Sequence, residues 1–419
     1  MNYKVIPLIY AANEHFKNTI RFTAEFNDEA DPDALRYAAD CVQKRYPYFS
    51  VRLEKAGEEL VLAENTLPFV ISGDGEPLCL NSDESNYHLV ALSRKGNSIS
   101  VDISHFICDG NGVAPFVKTL VYYYAKKRYD VSGIDTRSIR LLTDSIEEEE
   151  YRYPFPGTPL PKEYTLPEKA KEYDPFRFDD ELFDSSGSYA YNLQADMASL
   201  MKCAKSSDGS PVSFVSVMLF RSLMSLYPGN KKDIVFQVPH EYRKVLGCPL
   251  SHDCLARVFN TVLSPKDADR PLELLNTWVR GQIILGSDPS ADIGAVNGML
   301  QLDAYMHTLP LEGKKQAMQS MVGGSIREHT FGISYTGNIS WGGLERYLRD
   351  VHVYAGENER HGSLSVEMFT MGDKFSICIM QPGRDPFFVE ELIRTFADQG
   401  IECRPMSEEK CHLADFVLP

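Results

Sequence analysis

Apolar and polar residues alternate strictly through Ser98-Ile99-Ser100-Val101-Asp102-Ile103-Ser104. A period of two predicts a half-buried strand, with Ile99, Val101 and Ile103 on its inner face. His105 falls in phase with that apolar set, so the strand is expected to carry an imidazole toward the buried side. The alternation stops there, Asp109-Gly110 come next, and a helical run is expected from Val113 to Lys127. Thr19 to Phe26 alternates in the same way and predicts another strand. Asp31 is a natural N-cap and Pro32 suits a first helical position. The stripe Leu35, Ala38, Ala39, Val42, Tyr46 continues that helix, and Pro47 ends it. Val51 to Glu54 and Leu60 to Ala63 predict a hairpin, and Leu89 to Leu92 a short strand.

The pattern changes at Asp144. Glu147 to Glu150 precede Pro154, Pro156, Pro159, Pro161, Pro167 and Pro175, with aromatics between them. Such a stretch predicts a partly extended surface linker with solvated glutamates. The chain is therefore divided into residues 1–143, a linker of 144–188, and residues 189–419. In the second half, strands are expected at Tyr189–Leu193, Ile234–Val238, Phe331–Ile339, Val351–Ala355, Leu364–Met371 and Phe375–Gln381. Helices are expected at Asp196–Lys205, Ser213–Tyr227, Leu272–Leu285 and Pro386–Ala397, and from Ala295 to Met321 with breaks near Gly298 and Pro310. Strands and helices mix without a regular repeat, which is a mixed α/β (α+β) class and not a doubly wound sheet.

A chain of 419 residues exceeds one ordinary core, which agrees with two domains. A net charge of −16 argues against nucleic acid or an anionic membrane as main partner. It leaves room for a phosphorylated co-substrate, which needs only a local basic patch. Lys314, Lys315 and Arg327 form a small basic cluster, read as the solvated end of a helix. The nine cysteines are odd in number and contain no CxxC pair, so free thiols in a reducing, cytoplasmic compartment are expected. Cys248, His252 and Cys254 do not have zinc-site spacing. Val5 to Ala12 is apolar but interrupted by Pro7 and succeeded by Glu14, so it is read as structural and not as a signal peptide. No apolar run reaches the roughly 18 residues of a membrane span. Phosphate-loop, Rossmann, HExxH and GxSxG motifs are absent.

The chemistry therefore centres on His105. An inward histidine before a turn is either a hydrogen-bonded core residue or a general base on a rigid support. Pattern alone leaves both open. Gly110 is expected to permit the turn, because a Cβ would restrict φ.

His105-Phe106-Ile107-Cys108-Asp109-Gly110 resembles the HxxxDG signature of the chloramphenicol-acetyltransferase-like superfamily. That group includes condensation domains of peptide synthetases, plant BAHD acyltransferases, wax-ester synthases, polyketide-associated acyltransferases and alcohol acetyltransferases. Ile20 to Phe26, Ala34 to Val42 and Arg45-Tyr46-Pro47-Tyr48-Phe49 look like the family's first unit. Val238-Pro239, Arg243 and Asn260 are similar to its "VP…R…N" segment, and Ser334-Tyr335-Thr336-Gly337 resembles its "SNxG" strand. The nearest likeness is to small bacterial alcohol-acetyltransferase-like proteins. Ser104 stands where condensation domains carry a first histidine, and Tyr335 where the family commonly has Asn. The plant DFGWG box is absent, with only a loose echo at Ile339-Ser340-Trp341-Gly342-Gly343.

The resemblance implies two similar α/β domains with a tunnel between them. It implies transfer of an acyl group, acetyl foremost, from a CoA thioester to a small alcohol or amine, with His105 as general base. Asp109 would pair with an arginine, for which Arg243 is the candidate, and would shape the loop with Gly110. Ser334 and Thr336 would either donate to the oxyanion or cap a strand end, and Asn260 would order a loop in preference to touching substrate. No permanently bound cofactor is implied; acyl-CoA, or an acyl carrier protein thioester, is the co-substrate. The rivals are a carrier-dependent condensation enzyme and a binding homologue without catalysis.

Overall fold

A computed structural model describes residues 6–13, 16, 18–155, 173–178, 187–325, 328–355, 362–410 and 413–419. The first half contains β1 (Thr19–Phe26), α1 (Pro32–Arg45), β2 (Val51–Ala56), β3 (Glu59–Glu64), β4 (Ile71–Ser72), β5 (Val90–Lys95), β6 (Ser98–Ser104) and α2 (Gly110–Arg128). The second half begins with β7 (Ser188–Asp196), α3 (Met197–Ser206), α4 (Pro211–Leu226), β8 (Ile234–Glu241), α5 (Arg243–Leu246) and β9 (Ala256–Leu263). Then come α6 (Leu272–Gly286), α7 (Pro289–Met306), α8 (Leu311–Ser325), β10 (Phe331–Asn338) and β11 (Leu348–Ala355). β12 (Leu364–Met371), β13 (Lys374–Pro382), α9 (Phe387–Asp398) and β14 (Cys403–Lys410) complete the order.

Local chemistry explains the boundaries. Asp31 caps α1 by accepting the Ala34 N–H at 2.7 Å, and Pro32 opens the helix. α7 runs through Gly298 without the expected break, because one glycine weakens a helix by only about 1 kcal/mol. The interruption falls between Met306 and Leu311, where Pro310 can donate no N–H. No single helix among the described residues is long and apolar enough to cross a membrane.

The strands form a five-stranded sheet, β11-β1-β6-β5-β4, a seven-stranded sheet, β14-β7-β13-β12-β10-β8-β9, and the β2-β3 hairpin. Ile99, Val101 and Ile103 of β6 enter a first core with Leu35, Val42, Phe116 and Leu120 from α1 and α2. Phe236, Ile333, Val366 and Ile377 enter a second core with Phe214, Leu223, Val279 and Phe396 from α4, α6 and α9. The opposite face of the first sheet is polar. It carries the Arg21–Asp102 pair at 2.9 Å and the Thr23–Ser100 hydrogen bond at 2.8 Å. The two sheets meet across it, where Tyr354 of β11 accepts a hydrogen bond from Asn192 of β7 at 3.0 Å.

Three features differ from the sequence expectations. Residues 189–419 do not keep to one sheet: β11 crosses back and pairs with β1, Phe22 opposite Val353 and Ala24 opposite Val351. Trp341, Leu344, Phe369 and Met371 accompany it into the first core. Without β11, β1 would present an unpaired edge. The glutamate run is not wholly solvated either. Glu150 is buried between Arg45 at 2.9 Å and Arg140 at 3.0 Å, and it accepts the Tyr48 hydroxyl at 2.7 Å. Most of the expected linker lies outside the described residues. Finally, Lys314 is buried, pairs with Glu59 and donates to the Glu58 carbonyl at 2.8 Å, so it solvates nothing. Arg327 lies outside the described residues.

Candidate active site

β6 ends at Ser104, and backbone hydrogen bonds on both sides hold the chain at this point. Ser104 N–H donates to Leu89 O at 2.9 Å, and His105 N–H donates to Asn18 O at 2.7 Å. Asn18 can offer that carbonyl because its backbone is left-handed, with φ of 50°, a region Asn tolerates. The His105 side chain is half-buried, and its Nδ1 lies 3.6 Å from the Cys254 Sγ. Burial holds its pKa below the ordinary 6.5, against the opposing pull of the Asp109 charge. The imidazole is therefore mostly neutral at pH 7. Burial pushes the Cys254 thiol well up, so it stays protonated.

Asp109 is saturated with donors. Its Oδ1 accepts the Gly112 N–H at 2.8 Å, which caps α2. Arg243 grips both oxygens, at 2.7 and 2.9 Å, and the Leu255 N–H adds a further bond at 3.0 Å. Arg243 is equally committed, donating to Glu241 Oε2, Ser251 O and Asp253 O at 3.0, 3.2 and 2.8 Å. Both groups are buried. The pair ties the turn after β6 to the segment after β8, and so joins the two halves at His105. The same segment is clamped a second time: the His252 ring packs on Tyr48 and Phe49, with centroids at 4.5 and 5.2 Å, and its Nδ1 lies 2.6 Å from Glu150 O.

The glycine that the turn requires is not the expected one. Gly110 does not have a left-handed backbone, and a Cβ there would stand at an ordinary 3.5 Å from Thr336 Cγ2. At Gly112 a Cβ would meet the His252 carbonyl oxygen at 2.0 Å. Gly112→Ala is expected to lower the unfolding free energy by roughly 1–3 kcal/mol through overpacking, whereas Gly110→Ala leaves it about unchanged. Urea denaturation of both variants checks this.

Facing the turn is the end of β10. Ser334 and Thr336 lie on the face toward Gly110, while Tyr335 points into the second core and stacks on Phe375 with centroids 5.9 Å apart. The hydroxyls are engaged locally: Ser334 donates to the Glu367 carboxylate, and Thr336 to Met368 O at 3.4 Å. Asn260 stands in strand β9 opposite Gln237, not in a loop, and its Oδ1 has no hydrogen-bond partner. His105, Asp109, Gly110, Arg243 and Thr336 thus come together, Ser334 lies one step along the strand, and Asn260 lies two strands away.

Sequence reasoning misses Cys254, Asn18 and Glu367. Only Glu367 leaves a signal there: it alternates out of phase with Leu364, Val366 and Met368. Burial raises its pKa to about 7 despite the Ser334 hydrogen bond.

Neither a family model nor a curated protein matches the sequence. Solved structures do. TRI101 of F. sporotrichioides, crystallised with coenzyme A and T-2, aligns over 97% of this chain and 100% of its own at 11% identity, with a TM-score of 0.63. Polyketide synthase associated protein 5 of Mycobacterium tuberculosis aligns over 94% and 96% at 15% identity and 0.55. The epimerization domain of tyrocidine synthetase B aligns over 95% of both chains at 12% identity and 0.55. With so few identical residues it is the fold that is shared. Along nearly its whole length the chain has the mixed α/β fold of the chloramphenicol-acetyltransferase-like and condensation-domain-like proteins.

Proposed function

We propose that the protein transfers an acyl group, acetyl foremost, from a CoA thioester to a small alcohol or amine, with His105 as general base. The observation that carries this reading is a neutral, half-buried imidazole at the junction of the two halves, beside a turn locked by the Asp109–Arg243 pair. The coenzyme A bound to TRI101 supports the choice of donor. Acyl thioester and acceptor would approach His105 from opposite sides, between the halves.

The ring's hydrogen bonds to the His105 and Cys108 backbone would hold the imidazole proton on Nδ1, beside the Cys254 sulfur, and leave the Nε2 lone pair for substrate. It would take the acceptor's O–H or N–H proton as that atom attacks the thioester carbonyl. Collapse of the tetrahedral adduct would expel the CoA thiolate, and the imidazolium would return the proton to sulfur. No covalent enzyme intermediate is required. The chain's own tasks are alignment and base catalysis. Asp109, fully occupied by Arg243, Gly112 and Leu255, would be architecture and not a proton relay. A cytoplasmic setting is supported by the odd, unclustered cysteines.

The test is release of free thiol from acetyl-CoA in the presence of alcohols and amines. Absence of release with every acceptor, and with acyl carrier thioesters as well, counts against transfer. Release from a carrier thioester alone would favour the second reading, a carrier-dependent enzyme, which the likeness to the tyrocidine synthetase domain supports. The pH profile is a separate check. Only neutral imidazole accepts a proton, so kcat/KM is expected to be level above pH 6.5 and to fall as pH drops through the lowered His105 pKa.

A further inference from the structure

The polar face of the first sheet opens into a cleft of about 450 Å³, with β14 of the second sheet along its far side. A recess of that size is in the range of small-molecule sites. Its floor is Thr23 and Ser100, both buried and bonded to each other at 2.8 Å, with Arg21 beside them. The Arg21 fork is committed: it holds Asp102 at 2.9 Å and donates to the Gly75 carbonyl. That second bond pins residues 75–77 as one wall, and Glu409 and Lys410 at the end of β14 form the other. The cleft lies on the face of β6 opposite to Ile99, Val101 and Ile103, and Ser100 stands about 13 Å along the strand from Ser104. It is therefore separate from the site around His105.

Two lysines line this cleft from different sheets, Lys95 at the end of β5 and Lys410 at the end of β14. Among the described residues neither is in an ion pair or a side-chain hydrogen bond. A lone exposed lysine is ordinary. These two are held by their stems. Lys95 lies on Gly75, where a Cβ would stand 2.6 Å from the Lys95 Cβ, and Lys410 lies on Gly187, where a Cβ would come within 3.1 Å of the Lys410 Cε. Packing on a glycine restricts the rotamers, so less side-chain entropy is left to lose when a ligand binds. Free ammonium groups are point charges and suit a phosphate, whereas a carboxylate is matched by an arginine fork, which here is occupied. The rest of the lining suits hydroxyls. The Ser98 hydroxyl and the Glu76 carboxylate have no partner among the described residues, and Glu409 accepts the Tyr354 hydroxyl at 3.4 Å. Apolar lining is confined to Pro77 and the buried Tyr354, which gives a hydrocarbon chain little to pack on.

We infer that this cleft binds a small phosphorylated polyol, a sugar phosphate in type. Lys95 and Lys410 hold its phosphate, and Ser98, Glu76 and Glu409 bond its hydroxyls. The ligand thereby bridges the two sheets at a place remote from the proposed chemistry. The inference does not rest on the acyl-transfer reading, and its test requires no turnover.

The probes are glucose 6-phosphate, ribose 5-phosphate and glycerol 3-phosphate, each compared with its unphosphorylated parent and with inorganic phosphate. Calorimetric titration of the full chain is expected to show at least one of them binding about 10-fold or more tighter than both of its controls, since charge-assisted and hydroxyl contacts are then made together. Lys95→Met combined with Lys410→Met keeps both stems on their glycines and removes both charges. With folding checked by its thermal melt, that variant is expected to bind the same probe about 10-fold or more weakly. Free CoA added beforehand is expected to leave the binding unchanged. The assignment is overturned if no phosphorylated probe binds, if none exceeds both its parent polyol and inorganic phosphate, if the double variant binds as well as wild type, or if CoA displaces the probe. Should the double variant not fold, the wild-type titrations and the CoA competition decide it alone.

Discussion

His105→Ala is expected to reduce CoA release about 10²–10⁴-fold, the usual worth of a positioned general base. The side chain is half-buried at the end of β6, and its hydrogen-bond partners are the Cys254 sulfur and the His105 and Cys108 backbone, so its removal strands no charged group and should not unfold the protein. The His105 N–H bond to Asn18 belongs to the backbone and survives the substitution. A thermal melt close to wild type, together with a loss of that size in thiol release, is the expected pair of results. The acid limb of the pH profile should disappear with the imidazole, because the residual reaction no longer depends on its protonation. Unchanged release in His105→Ala would remove the histidine from the mechanism altogether.

Asp109→Ala is the larger test of stability. It strips Arg243 of both its bonds to Asp109 in a buried setting, leaving it the Glu241 carboxylate, and leaves the Gly112 N–H uncapped. Breaking a buried pair from one side typically costs about 3–5 kcal/mol, and the Glu241 carboxylate that stays beside Arg243 places the expected loss toward the lower end of that range. Loss of the cap adds about 1 kcal/mol. Urea denaturation should register a loss within that range, and a loss below about 1 kcal/mol would mean that the pair does not hold the halves together. Combining Asp109→Ala with Arg243→Met removes both charges, so the double variant is expected to lose less than the sum of the singles. Activity should fall in both singles, since the turn that carries His105 is anchored there.

Elements governed by local rules are legible in the residues themselves. Strict alternation from Ser98 to Ser104 corresponds to β6, and Asp31-Pro32 marks the start of α1. The long helix after Gly110 is legible too, although periodicity starts it only at Val113, because nothing local marks Asp109 as its cap in preference to a chemical group. What escapes is set by partners distant in sequence. Nothing near Glu150 announces Arg45, and nothing near Gly112 announces the His252 carbonyl. Ser334 reads in the sequence as an oxyanion donor or a strand-end cap, yet Glu367 on the neighbouring strand claims its hydroxyl. The position of Cys254 beside His105 depends on a pairing across 149 residues. Charge runs and glycines constrain the backbone they occupy, but their roles depend on what the fold brings against them.

The return of β11 to the first sheet bears on how the chain is made. On the ribosome, β1, β6, α1 and α2 emerge early and can collapse together, since their contacts are close in sequence. Their sheet is not finished, however, until Leu348–Ala355 has been synthesised and has paired with β1. Throughout that interval the nascent chain carries an unpaired strand edge beside an incomplete core, a form open to association with other chains. A chain cut short before β11 is for the same reason not a free-standing domain. The protein matures as one unit, and its two halves become complete only together.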